Sequence, residues 1–217
     1  MSFPIWLGTM VAGMAVGQAL PRDAAAEAGP LEGFFIEVPV GLATPVADGT
    51  WEGNVDPSFV TGVQFGYLFG LGGWAAAIGP EVAMTYSPGN VEDEEWGRDG
   101  GDDDVYIGRL RLTGGARFVI GFGSAFMFGR LGVGLDYVHA SWEQHIVAPD
   151  ADTDDSDTGV ALLIGTGLGY MVTDVVGISM LLEYPIGFHD RDRRGVEVNL
   201  DGDKVDFVAA LAVSFRL

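Results

Sequence analysis

Large apolar and aromatic side chains occupy alternate positions through most of this chain, with glycine, alanine and a few charges between them. A β-strand sends successive side chains to opposite faces, so the pattern predicts strands with one bulky, greasy face and one small, partly charged face. All six tyrosines, Tyr67, Tyr86, Tyr106, Tyr137, Tyr170 and Tyr184, fall on the bulky phase. Eight segments carry the alternation, near 34–43, 59–69, 74–86, 106–120, 126–137, 160–170, 176–188 and 205–217. In the fourth, Tyr106, Leu110, Leu112, Phe118 and Ile120 oppose Arg109, Arg111, Thr113, Gly115 and Arg117. The fifth is the least regular, because Phe126 and Phe128 fall on the small phase.

Each segment approaches or exceeds the ~9 to 11 residues that a tilted strand needs to cross hydrocarbon. The turns after the second, fourth and sixth segments are tight (Leu71-Gly72-Gly73, Gly121-Phe122-Gly123-Ser124, Thr173-Asp174), and the other links are long and polar. Short turns at one end and long loops at the other are the habit of an outer-membrane barrel. The fold expected is therefore all-β: an eight-stranded antiparallel up-and-down transmembrane β-barrel over residues 31–217.

A soluble eight-stranded barrel would turn the bulky phase inward. Its interior is just wide enough to be filled by side chains and has no room for so many Phe, Tyr, Trp, Leu, Ile and Met residues. The other phase, dominated by Gly and Ala, is equally wrong for water, and the chain has a single lysine, Lys204. With the bulky phase outward, the aromatics fall at two heights, as interfacial belts require. Tyr86, Tyr106, Tyr137, Phe188 and Phe207 lie towards the long loops, and Tyr67, Trp74, Tyr170 and Phe215 towards the short turns; Tyr184 belongs to the same outward phase.

The apolar run from Ile5 to Leu20, followed by Ala24-Ala25-Ala26, reads as a cleavable signal peptide over residues 1–26, although no Lys or Arg precedes the run. The absence of cysteine excludes disulfides and a lipid anchor on cysteine. A single barrel domain of this kind is expected to be a monomer in the outer membrane of a Gram-negative bacterium. Its surroundings would be outer-membrane lipid and lipopolysaccharide.

Over residues 31–217 the chain resembles the small outer-membrane barrels of the OmpA, OmpX and OmpW type. The end of the chain, Leu211-Ala212-Val213-Ser214-Phe215-Arg216-Leu217, is similar to the terminal signal that the outer-membrane assembly machinery reads. It departs from that pattern by ending in Leu and by having Ala212 where glycine is common. The resemblance implies a structural or surface-interaction role and an interior that is either plugged or a narrow path for ions or small solutes.

The inward charges bear on that choice. Glu37, Glu81, Asp136, Glu183 and Asp206 face Arg109, Arg111, Arg117, Arg130 and Arg216. A charge in a low-dielectric lumen must find a partner or water, so pairing into a plug is the preferred reading. Glycines on the same face leave room for an aqueous path gated by Arg–carboxylate pairs. Counted from the rims, Glu81, Arg109, Arg111, Asp136, Glu183 and Asp206 fall at mid-height or above, and Glu37, Arg117 and Arg130 lower. Strand adjacency selects Glu81 with Arg109 and Arg111 as the pairing to expect.

The long loops are acidic and supply much of the formal net charge of -20. The second holds Glu92, Asp93, Glu94, Glu95, Asp99, Asp102, Asp103 and Asp104; the third holds Glu143, Asp150, Asp152, Asp154, Asp155 and Asp157. Asp150, Asp152 and Asp154, with Asp157 near, copy the opening spacing of a calcium loop, but Asp155 stands where its glycine belongs and Ala161 where its bidentate glutamate belongs. A solvated surface with weak divalent-cation capture is the expectation, and no other cofactor is indicated. Nucleic acid is excluded as a partner by the sign of the charge. His139 and Ser141 resemble the His-x-Ser pair of the outer-membrane lipid A deacylase family, which would make the protein a lipid-modifying enzyme. Trp142 follows the serine where that family has asparagine, and a non-enzymatic role is expected.

Overall fold

Eight strands form as the alternation predicts: β1 (Gly33–Pro45), β2 (Ser58–Gly70), β3 (Ala76–Val91), β4 (Val105–Phe122), β5 (Ala125–Trp142), β6 (Asp154–Met171), β7 (Val176–Phe188) and β8 (Lys204–Arg216). The structure, a computed structural model, describes residues 32–46, 57–72, 75–91, 105–142, 154–189 and 204–217. Residues 1–26, Trp74, Asp150, Asp152 and the acid of the second long connection lie outside the described residues.

Every strand pairs antiparallel with its neighbour in sequence, and β1 pairs with β8 to close the barrel. At the seam, Phe34 N donates to Leu217 O at 3.2 Å and Leu217 N donates to Phe34 O at 2.9 Å. Closure leaves no strand edge with unpaired amides, which the bilayer interior demands because it offers no water to satisfy them. The tight turns are built from their own sequences. Gly123 takes a left-handed φ of 67° between β4 and β5, and the Thr173 hydroxyl accepts the amides of Val175 and Val176 at 3.2 and 2.9 Å between β6 and β7.

Burial follows the two-residue period. Leu211 is 69% exposed, Val133 61% and Val160 58%, whereas their inward neighbours Ala210, Ala212, Gly132 and Ala161 are buried. An apolar surface of this extent, wrapped around a closed barrel, is untenable in water and costs nothing in lipid. The aromatics sit on this outer face towards the strand ends. The hydroxyls of Tyr86 and Tyr106 are hydrogen-bonded at 2.9 Å on the long-connection side. On the short-turn side Tyr67 stacks against Phe34 and Phe69, with ring centroids 6.3 and 4.8 Å apart. Tyr184 is outward too but stands opposite Ile164, inside the strand between the two aromatic levels.

The alternation underestimates the strands around the acidic connections. The β5–β6 ladder continues as far as Ser141 opposite Asp154, so Asp154, Asp155 and Asp157, read as loop, belong to β6. Polar residues here do not signal a loop, because a hairpin that outgrows the hydrocarbon band has no need of apolar side chains.

Phe126 and Phe128, the aromatics on the small phase, are inward and buried. The ladder sets them opposite Gly169 and Gly167, where an added methyl would lie 2.2 and 2.3 Å from the respective ring tips. The glycines on β6 are the space that two large rings on β5 require.

Candidate functional site: the charged lumen

The inward charges fall into two networks at different depths. Nearer the short turns, Arg117 on β4 is the hub: its Nε donates to Glu81 Oε2 at 2.6 Å, its Nη1 to Glu37 Oε2 at 2.5 Å and its Nη2 to Gln64 Oε1 at 2.7 Å. Arg130 Nη2 lies 2.7 Å from Glu81 Oε1, and its Nη1 donates to Glu183. The Ser179 hydroxyl donates to Glu37. The Arg117 guanidinium is stacked between the rings of Phe35 and Phe128, 4.6 and 4.5 Å from their centroids, and Arg216 lies 5.0 Å over Phe126. Three inward phenylalanine rings thus pack against the arginines on this side of the lumen. Its charges are Arg117 and Arg130 against Glu37, Glu81 and Glu183, all at most 6% exposed.

Nearer the long connections, Arg109 Nε donates to both oxygens of Asp136 at 2.8 and 2.9 Å, and its Nη1 donates to Asp206 at 2.6 Å. Arg109 Nη2 also reaches the Lys204 carbonyl at 3.0 Å. Arg111 donates to Asp206 and lies 3.5 Å from Asp136. His189, the residue after β7, adds a link: its Nε2 is 3.2 Å from Asp136 Oδ2 and its Nδ1 is 2.7 Å from Asp157 Oδ2. Lys204 is buried in the same region.

Glu81 does not meet Arg109 or Arg111. In the β3–β4 ladder Arg111 stands opposite Thr85 and Arg109 opposite Ser87, while Glu81 stands opposite Gly115. Four residues separate Glu81 from Thr85, roughly 13 Å at strand rise, which puts it beside Arg117 instead. Glu183 likewise joins the deeper network through Arg130. Counting positions from the rims treats the strands as level, whereas strands in a closed barrel are tilted and staggered.

Sequence reasoning missed His189, Lys204, Gln64 and Ser179 as members of these networks. The signal was present, since His189 continues the inward phase of Ser179, Glu183 and Gly187, and Lys204 precedes inward Asp206 by two residues. Asp157 is taken out of the cation-binding set: its carboxylate is engaged by His189 and by the Thr158 amide at 2.8 Å. Asp154 stands across the ladder from Ser141, and His139 across from Ser156, on the outward phase at the loop side.

Two small cavities lie beside the networks among the described residues. A cavity with about 10 Å³ of water-accessible room lies above Arg109, lined by Ser58, Ser87 and Asp206 among others. A second of about 10 Å³ lies between the two networks, against Arg111, Thr113 and Glu183. Each is at the lower limit of what one water molecule occupies.

A closed eight-stranded antiparallel barrel with an apolar outer belt and a charged, filled interior is a transmembrane barrel of the small outer-membrane class. Solved outer-membrane barrels share the fold. It is similar to Ail, the attachment invasion locus protein of Yersinia pestis, solved in complex with the heparin analogue sucrose octasulfate (TM-score 0.54, 17% identity, covering 86% of this chain and 100% of Ail). It is also similar to a major outer membrane protein from Thermus thermophilus (TM-score 0.58, 10% identity, 87% and 100% covered). At these identities the likeness is one of fold. No protein-family model matches the chain, and no curated protein matches it in sequence.

Proposed function

We propose that the protein is a non-enzymatic outer-membrane barrel with a structural or surface-interaction role, whose lumen is closed and whose acidic connections form the working surface. The observation that carries this reading is the pairing of the lumen charges into two buried networks, with two water-sized voids beside them among the described residues. Ionised groups packed in this way hold one another and leave no continuous aqueous route.

The function then lies at the ends of the strands. Acid dominates the long connections in sequence, which favours cations at that surface, including weakly captured calcium shared with the phosphates of lipopolysaccharide. Ail was solved with a polyanion; the net charge of -20 here opposes that class of partner. Lipid and lipopolysaccharide surround the belt, the chain acts as a monomer, and its last residues serve the outer-membrane assembly machinery.

Conductance across a planar bilayer tests the closed lumen. Folded protein without its leader should give no unitary steps across salts and voltages. Reproducible steps altered by Glu81→Gln or Arg111→Gln would establish the narrow channel instead.

A further inference from the structure

His189 is the one imidazole placed between two carboxylates among the described residues, and both of its ring nitrogens are engaged. Nε2 faces Asp136 Oδ2 at 3.2 Å and Nδ1 faces Asp157 Oδ2 at 2.7 Å. Both carboxylates are committed as acceptors elsewhere: Asp136 takes two hydrogen bonds from Arg109 Nε, and Asp157 Oδ1 takes the Thr158 amide. A neutral imidazole has one N–H and one bare nitrogen, so it can serve only one of two ionised carboxylates; the imidazolium serves both. The His189 side chain is 0% exposed, which leaves no water to replace a lost bond.

The place is built for this contact. An added methyl on Gly187 would lie 1.9 Å from Asp136 Oδ2, and one on Gly159 would lie 3.0 Å from His189 Cδ2. Two glycines, one on β6 and one on β7, clear the space in which the cluster packs. His189 follows β7 at the start of the fourth long connection, and Asp157 lies near the start of β6, after the third.

We propose that the His189 imidazolium is a pH-sensitive latch that ties the roots of the third and fourth long connections to Asp136 over the loop-side mouth of the lumen. The groups that face it are Asp157 from β6 and Asp136 from β5; behind Asp136 stand Arg109 and Arg111 from β4 and Asp206 with Lys204 from β8. With the His189 ring doubly protonated the latch is closed with both bonds made. With the ring neutral one carboxylate loses its donor, Asp136 and Asp157 are no longer bridged by a positive charge, and the upper ends of β6 and β7 loosen.

The test uses full-length folded protein in lipid nanodiscs, labelled with ¹⁵N in its three histidines, with His189→Gln assigning the resonance. The expected result is a doubly protonated His189 ring at acidic pH. Its deprotonation on raising the pH should coincide with a roughly tenfold rise in the opening of amides at 157–160 and 186–189, measured by hydrogen exchange corrected for its intrinsic pH dependence, the loss expected for one buried charge-assisted hydrogen bond. In His189→Gln and in Asp157→Asn that pH dependence disappears. A ring that is singly protonated throughout, a ring that keeps one protonation state wherever the barrel is folded, deprotonation with no change in opening, or an equal pH response in His189→Gln each overturns the latch. The ring measurement is made on the unsubstituted protein, so the proposal stays testable even if a variant fails to fold.

Discussion

The two charge networks of the lumen use the same chemistry in different surroundings. Around Arg117 the partners are glutamates and a glutamine, the guanidinium is sandwiched by Phe35 and Phe128, and the only connections nearby are tight turns. Around Arg109 the partners are aspartates, a histidine takes part, a small void lies above, and long acidic connections begin within two residues of the cluster. In the first, Glu37 has a single arginine, Arg117, and Glu183 a single arginine, Arg130, with Glu81 shared between the two. The second is more redundant: Asp136 is served by Arg109, Arg111 and His189, and Asp206 by both arginines. Depth in the barrel thus separates a less redundant network from a more redundant one.

The largest expected break in this contrast comes from Arg117→Ala, which strands Glu37 in a buried site and leaves Glu81 to Arg130 alone. It should lower stability by about 3–5 kcal/mol, read as a shift in the urea unfolding midpoint in lipid vesicles. Arg109→Ala should cost less, about 1–3 kcal/mol by the same measurement, because Arg111 and His189 still serve its carboxylates. Equal losses would show that the redundancy seen in the upper network has no energetic meaning.

The inward phenylalanines give the next effect. Gly167→Ala should cost about 1–3 kcal/mol by overpacking Phe128. The same change at Gly129, whose added methyl would meet nothing nearer than 4.0 Å on the outer face, should be neutral or stabilising by up to about 1 kcal/mol. The smallest effect belongs to Tyr86→Phe, which removes the exposed bond to Tyr106 at the long-connection rim. It should change stability by no more than about 1 kcal/mol, and a loss comparable to Arg109→Ala would place rim contacts on a level with the buried networks.

The barrel was legible in the sequence because lipid outside and a narrow interior impose the same two-residue period on every strand. Tyr137 and Asp136, adjacent in the chain and opposite in exposure, illustrate how completely the phase sorts them. The pairing of inward charges was less legible. Phase tells which face Glu81 occupies, whereas its partner depends on stagger between tilted strands and on how far an arginine reaches. His189 was missed for another reason: it follows the last apolar residue of β7, where alternation alone gives no reason to continue the strand's phase into a connection. Phe126 and Phe128 violated the pattern until the glycines facing them on β6 were seen as their complement.

One pair of neighbours in β4 faces opposite media, and the cysteine-free chain allows this to be measured directly. Leu112 is outward and 49% exposed, and Thr113 is inward and 6% exposed. In vesicles, a fluorophore on Leu112→Cys should be quenched by brominated lipid chains. The thiol of Thr113→Cys should stay unreactive towards a membrane-impermeant maleimide applied from either side. Rapid labelling at 113 in folded protein would reveal a water-filled lumen and contradict the seal, and absence of lipid quenching at 112 would contradict the transmembrane barrel itself.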